Sequence, residues 1–210
     1  MKTLSRRAML LKTAGGLGAA SLVALSDSSH AHALWQDSSG ARLKGRLKQS
    51  ACRWCYRDIP LENLAKAAAE IGLKGIDLLN DPNDWPVVKK YGLIPTMTSG
   101  AGTIPDACNR KDLHDKLEKE FQTNIPRADE NGVPNVITFS GNRKGMSDGE
   151  GLENTVAILN RVKGVAEKHN VTICIELLNS KVNHKDYMFD HTAWGVEVIK
   201  RVNSPRVKIL

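Results

Sequence analysis

Short apolar runs alternate with segments of helical period along most of this 210-residue chain, and this alternation strongly limits the folds it can adopt. The apolar runs cover residues 49–52, 75–79, 93–97, 135–139, 172–178 and 207–210. They begin about 32 residues apart, and the segments between them carry apolar residues every three or four positions. Strands and helices that alternate at this spacing are typical of parallel βα units.

Two of the helical segments have recognisable ends. The segment "PLENLAKAAAEIG" at 60–72 has Pro60 at a position that suits the first turn of a helix and Gly72 where a C-cap belongs. A longer segment ends before Gly132 and contains Pro126. We expect this proline to kink or interrupt the helix.

The spacing favours a (β/α) barrel over a doubly wound sheet. A doubly wound sheet should carry a glycine-rich phosphate turn after its first strand, and "CRWCYRDIP" at 52–60 has none. We predict an α/β fold, a (β/α)8 TIM barrel with about five and a half βα units present. A full barrel needs ~250 residues, so we expect the sequence to stop within its sixth strand. Open sheet edges would then favour a homo-oligomer or aggregation.

The N-terminus has the features of an export signal. Arg6 and Arg7 precede an apolar stretch that ends in "AHA", with Ala31 and Ala33 at the small-residue positions. We predict a twin-arginine signal cleaved after Ala33, hence the export machinery as a partner and a periplasmic or exported protein. Retention as an uncleaved anchor is the alternative. The predicted domains are the signal at 1–33, a linker at 34–47 and the partial barrel at 48–210.

Charge and cysteine content restrict other functions. The net charge of +7 is spread along the chain and gives weak support for nucleic-acid binding, so we expect no nucleic-acid partner.

Cys52 and Cys55 form a CxxC motif, but a loop follows it and no second CxxC completes a zinc site. We expect these to be side chains at a strand end, with redox chemistry as the alternative.

Polar residues that end the predicted strands mark the candidate site, because the active face of a parallel barrel lies at the carboxyl ends of its strands. They are Arg53, Trp54, Asp77, Thr98, Ser99, Ser140, Asn142, Arg143, Glu176 and Asn179.

Glu176 differs from the others because it lies within the apolar run "VTICIELLNS". Burying an unpaired carboxylate costs several kcal/mol, so it must meet a cation or stay neutral. A metal ion at the barrel mouth meets that requirement, and a salt bridge to a barrel Arg or Lys is the alternative. Oxygen ligands suit Mg or Mn, and with a histidine they suit Zn or Co.

Four segments together resemble the hydroxypyruvate isomerase group of the xylose isomerase-like TIM barrels. They are "VITFSGNR" (136–143), "CIELLNS" (174–180), "HKDYMFDHTAWG" (184–195) and "VKIL" (207–210). The resemblance covers about residues 48–210.

The resemblance implies a divalent metal ion (Mg, Mn, Co or Zn) held by side chains from strands five to eight. Only the first ligand position, Glu176, falls inside the chain. Glu176 would also be catalytic, moving a proton through an enediolate of a small hydroxy-carbonyl or sugar substrate. With hydroxypyruvate the product would be tartronate semialdehyde. Trp54, Asn142, Arg143 and His184 are the predicted substrate-binding residues.

Two other functions share the predicted fold. An abasic-site endonuclease would need further metal-binding histidines, and His114, His169 and His191 do not fall at strand ends. Export would also remove it from DNA. A non-catalytic or degenerate exported sugar-binding barrel would keep the fold without the metal.

Overall fold

The computed structural model describes residues 47–210. The predicted signal residues Arg6, Arg7, Ala31 and Ala33, and nearly all of the predicted linker, lie outside the described residues. Within 47–210, no helix is both long enough and apolar enough to cross a membrane.

Strands and helices alternate along the described residues, as the sequence predicts. The elements are β1 (Ser50–Cys52), α1 (Leu61–Ile71), β2 (Gly75–Asp77), α2 (Asp84–Lys90), β3 (Ile94–Pro95), β4 (Thr98–Ala101), α3 (His114–Glu130), β5 (Asn135–Thr138), α4 (Asp148–His169), β6 (Thr172–Ile175), α5 (Thr192–Val202) and β7 (Val207–Ile209). Short 3₁₀ helices cover Arg53–Tyr56 and Lys111–Leu113.

Every strand pairing is parallel. One sheet has the order β1-β2-β3 and the other has the order β4-β5-β6-β7. β3 and β4 together occupy the third strand position and are separated by Thr96 and Met97; β3 lies within the predicted run 93–97 and β4 follows it. The Thr96 N–H donates to the Ile76 carbonyl at 3.0 Å, and the Leu79 N–H donates to the Met97 carbonyl at 3.2 Å. Six strand positions and five helices therefore give the predicted partial barrel.

The ends of three strands differ from the prediction. The third strand position extends to Ala101, so Thr98 and Ser99 lie within β4 rather than after a strand. β2 ends at Asp77, because Leu78 adopts a left-handed conformation with φ of 56° and turns the chain. β6 ends at Ile175, and Glu176 follows it directly.

The prediction that Pro126 interrupts its helix is wrong, because α3 runs from His114 to Glu130, while the predicted kink stays a prediction. Pro126 has no N–H to donate to the carbonyl of Gln122. Gln122 is exposed, so water can satisfy that carbonyl. Phe121 and Ile125 are fully buried on the other side of the helix, and their packing holds the helix in place.

Alternation along the strands separates two apolar layers. Ile76, Val136 and Ile173 pack against the helices in the main core. Ile137 and Cys174, which follow Val136 and Ile173 in sequence, form a smaller cluster on the opposite face, inside the barrel.

Gly195 in α5 allows the loop after β6 to pack against this helix. A Cβ at Gly195 would lie 2.1 Å from Cζ of Phe189, which no real contact tolerates. The ring of Phe189 also packs against Trp194, with 5.5 Å between the ring centroids. This contact fixes the loop at the carboxyl end of the barrel.

Candidate functional site

Glu176 lies at the carboxyl end of β6. Its N–H donates to the Thr138 carbonyl at 3.0 Å, so its backbone still follows the neighbouring β5. The side chain is half-buried. Burial raises the pKa of its carboxyl group, and the charge of His184 partly opposes this shift. Among residues 47–210 its carboxylate has no hydrogen bond or ion-pair partner, so the predicted alternative of a salt bridge is not formed there.

Tyr187 holds the backbone of Glu176 to the neighbouring strand end. Its hydroxyl donates to the Glu176 carbonyl at 2.8 Å and accepts from the Ser140 N–H at 2.9 Å. The side chain is completely buried. Burial raises the pKa of the Tyr187 phenol far above its ordinary value, so it stays neutral and keeps its proton for Glu176.

The loop after β6 folds back and brings His184 near Glu176. The His184 N–H donates to the Asn179 carbonyl at 3.0 Å, and the Tyr187 N–H donates to the His184 carbonyl at 2.8 Å. The His184 and Tyr187 rings meet edge to face, with centroids 6.4 Å apart. The structure therefore brings together two of the predicted site residues, Glu176 and His184.

Arg143 binds the same loop from the end of β5. Its guanidinium donates to Asp148 at 2.8 Å, to Asp190 at 3.1 Å and to the carbonyls of Tyr187 and Met188. Burial alone would raise the pKa of Asp190, but hydrogen bonds from neighbours that include Arg143 outweigh it and lower this pKa to about 2. The donors of Arg143 thus hold the rim of the barrel together, and substrate binding by this residue stays a prediction.

Asn142 and Trp54 occupy different parts of the rim. The backbone of Asn142 pairs with Tyr187 in an isolated antiparallel bridge and accepts a hydrogen bond from the side chain of Asn109. Trp54 is 57% exposed in the 3₁₀ helix after β1. Their roles in substrate binding stay predictions.

Asp77 has partners on both neighbouring strand positions. Its carboxylate accepts from the hydroxyl of Ser50 at 2.7 Å and from that of Thr96. It therefore joins the first three strand positions inside the barrel.

Sequence reasoning missed Tyr187 and Asp190, which organise this rim. Both lie in the segment "HKDYMFDHTAWG", which carries the family resemblance. The sequence feature that could have identified Tyr187 is an aromatic residue within a mostly polar loop segment.

The described residues supply part of the metal site that the resemblance implies. Glu176 is an unpaired carboxylate, a suitable ligand for a hard cation. Between residues 47 and 210, no three His, Cys, Asp or Glu side chains lie close enough together to hold a metal ion. The remaining predicted ligands are not among these residues, and metal binding stays a prediction.

Comparisons with known proteins identify the family. Residues 53–210 match the family described as xylose isomerase-like TIM barrel, while a search of curated proteins gave no match. The structure resembles AP endonuclease, family 2, from Brucella melitensis, with 19% identity and a TM-score of 0.63 over 78% of this chain and 67% of that one. It also resembles D-psicose 3-epimerase with D-tagatose from Clostridium cellulolyticum H10, with 16% identity and a TM-score of 0.60 over 78% and 62%.

A third similar structure is a sugar phosphate isomerase/epimerase from Parabacteroides distasonis, with 12% identity and a TM-score of 0.61 over 82% of this chain and 67% of that one. At identities this low, the similarity shows a common fold. The chain spans about two thirds or less of the length of each of these proteins. The family match covers most of the chain, from the end of β1 to Leu210. The chain belongs to the xylose isomerase-like TIM barrel family.

Proposed function

We propose that this chain acts in an isomerase that moves a proton between adjacent carbons of a small hydroxy-carbonyl compound. Glu176 is the proton-transfer group. The observation that carries the proposal is the position of this carboxyl group, half-buried and unpaired among residues 47–210 at the carboxyl end of β6. Burial raises its pKa, and a base is most effective when its pKa approaches the working pH.

The proposed reaction uses Glu176 twice. Its carboxylate takes the proton from the carbon beside the substrate carbonyl, and the substrate becomes an enediolate. The protonated carboxyl group then returns its proton to the neighbouring carbon, while the hydroxyl proton passes to the former carbonyl oxygen, so that carbonyl and hydroxyl exchange positions. His184 is close enough to influence the charge of Glu176 and is the candidate donor to a substrate oxygen.

A divalent cation (Mg, Mn, Co or Zn) belongs to the proposal through the family resemblance. When bound, such an ion polarises the carbonyl oxygen and stabilises negative charge on it. Glu176 is the ligand that residues 47–210 supply. The proton transfer by Glu176 does not depend on the identity of this ion.

Hydroxypyruvate, converted to tartronate semialdehyde, is the substrate we propose first. The support is the resemblance of residues 136–143 and 174–195 to the hydroxypyruvate isomerase group. Ketoses are the second substrate class, because D-psicose 3-epimerase is among the similar folds. We also propose export through the twin-arginine pathway, which the residues Arg6 and Arg7 support.

The test measures exchange of the carbon-bound proton. The full-length protein is incubated with Mn²⁺ and hydroxypyruvate in D₂O, and NMR follows deuterium incorporation and product formation. We expect Glu176→Gln to lower both by about 10² to 10⁴, the usual contribution of a positioned acid-base group. Glu70→Gln is the matched control, since Glu70 is an exposed carboxylate on α1.

The proposal is wrong if Glu176→Gln exchanges and converts substrate as fast as the wild type. It is also wrong if neither hydroxypyruvate nor a set of ketoses exchanges a carbon-bound proton in the wild-type protein. Stabilisation by these ligands without exchange would identify a sugar-binding barrel instead.

A further inference from the structure

Cys52 and Cys55 lie at the carboxyl end of β1, at the mouth of the barrel, and neither thiol has a role in the proposed reaction. Cys52 is the last residue of β1 and is half-buried, whereas Cys55 is exposed in the following 3₁₀ helix. Both are free thiols.

The backbone places these two residues at a spacing that a disulfide can span. Cys52 is the N-cap of the 3₁₀ helix and Cys55 is its third residue. The 3₁₀ turn that begins at Cys52 rises by about 2 Å per residue, which gives about 6 Å between Cys52 and Cys55. Disulfides join Cα atoms separated by roughly 4.4–6.8 Å.

The two thiols differ in their surroundings. Burial raises the pKa of the Cys52 thiol, a hydrogen bond from the Trp54 backbone opposes this, and Cys55 and Asp77 raise it further. Cys55, with its exposed side chain, is therefore the more accessible thiol for a reagent in solution.

The other two cysteines within 47–210 are protected. Cys108 has no exposed surface and Cys174 is 7% exposed. Burial raises the pKa of each thiol to about 11. Since the thiolate is the reactive form, neither competes with the CxxC pair at neutral pH.

We propose that Cys52 and Cys55 form a reactive dithiol site that disulfide oxidants convert to an internal disulfide, with Cys55 as the attacking thiol and Cys52 as the resolving thiol. With oxidised glutathione, the Cys55 thiolate attacks one sulfur, the glutathione disulfide breaks and one glutathione thiolate leaves. Cys52 then loses its proton to solvent and attacks the Cys55 sulfur, which displaces the second glutathione. Two electrons pass to the oxidant, one disulfide breaks and one forms.

The disulfide would close the turn that carries Trp54. Trp54 lies between the two cysteines in sequence, in the same 3₁₀ helix as Cys55. Oxidation therefore fixes the first loop of the mouth, whether or not the proposed proton transfer occurs.

The test uses the reduced full-length protein and oxidised glutathione, with samples alkylated and analysed by intact mass and peptide mapping. We expect a product that lacks two hydrogens, with its cross-link between Cys52 and Cys55. Cys52→Ser should instead accumulate one glutathione adduct on Cys55. Cys55→Ser should lose thiol at least about tenfold more slowly than wild type, and Cys108→Ser should behave as wild type.

Three results would overturn the proposal. They are the absence of a 52–55 cross-link in the wild type, the absence of an adduct in both Cys52→Ser and Cys52→Ala, and equal rates for Cys55→Ser and wild type. Circular dichroism of each variant confirms that the fold is retained. None of these readouts depends on isomerase activity.

Discussion

Tyr187→Phe tests the connection between the ends of β5 and β6. The substitution removes one hydroxyl that donates to the Glu176 carbonyl at 2.8 Å and accepts from the Ser140 N–H at 2.9 Å. Both backbone groups then lie beside a completely buried ring and lose their partner. A buried polar group left unpaired costs about 1–3 kcal/mol, so for these two groups we expect the free energy of unfolding to fall by about 2–6 kcal/mol.

Urea unfolding followed by circular dichroism measures this loss. With a urea dependence of about 2 kcal/mol per molar, the midpoint should fall by about 1–3 M. Tyr91→Phe is the matched control, because the Tyr91 hydroxyl bonds the exposed Glu62 at 2.9 Å and its removal should leave the midpoint unchanged. Equal midpoints for Tyr187→Phe and Tyr91→Phe would refute the role assigned to the buried hydroxyl.

Three further predictions concern packing, buried hydroxyls and acid stability. Gly195→Ala should destabilise the fold by about 1–3 kcal/mol, since the new methyl group meets the Phe189 ring; an unchanged melting temperature would contradict this. Thr155→Val should stabilise the fold by up to about 1 kcal/mol, because the buried Thr155 hydroxyl has no partner among the described residues. Thr138→Val should destabilise the fold, because the Thr138 hydroxyl donates to the Ala101 carbonyl at 2.9 Å. If urea unfolding shows that both threonine variants change the free energy of unfolding in the same direction, this explanation is wrong. The pKa of Asp190 is lowered from 3.8 to about 2, so the stabilisation from its charge is present above pH 3.8 and is lost as the pH falls toward 2. Asp190→Asn should therefore make the free energy of unfolding less dependent on pH between about 2 and 4. An unchanged pH dependence of unfolding in this variant would contradict the lowered pKa of Asp190.

The periodic pattern of the sequence predicted the order and type of the elements. Apolar strands spaced by amphipathic helices leave few alternatives to a parallel barrel. Their exact ends depended on backbone details that composition does not encode. Leu78 turns left-handed after β2, and Pro126 is accommodated because packing on one side of α3 outweighs one missing hydrogen bond.

The candidate site was only partly predictable. Glu176 was identifiable because a carboxylate within an apolar run is costly, and His184 followed from the family resemblance. The contacts of Arg143 required the fold, because its partners lie in a loop more than 40 residues further along the chain. Tyr187 was missed for the same reason, since the importance of its hydroxyl depends on which backbone groups it meets.

The break between β3 and β4 has a consequence for how the barrel unfolds. Segments of one fold can open locally at different free energies, and here the division between the two hydrogen-bonded sheets lies at Thr96 and Met97. We expect the amide hydrogens of β1 to β3 to exchange together, before those of β4 to β7, which have longer helices on their outer face. Cys52 then belongs to the early-opening unit and Glu176 to the persistent one. Oxidation of the dithiol would stabilise the first unit without displacing the carboxylate in the second.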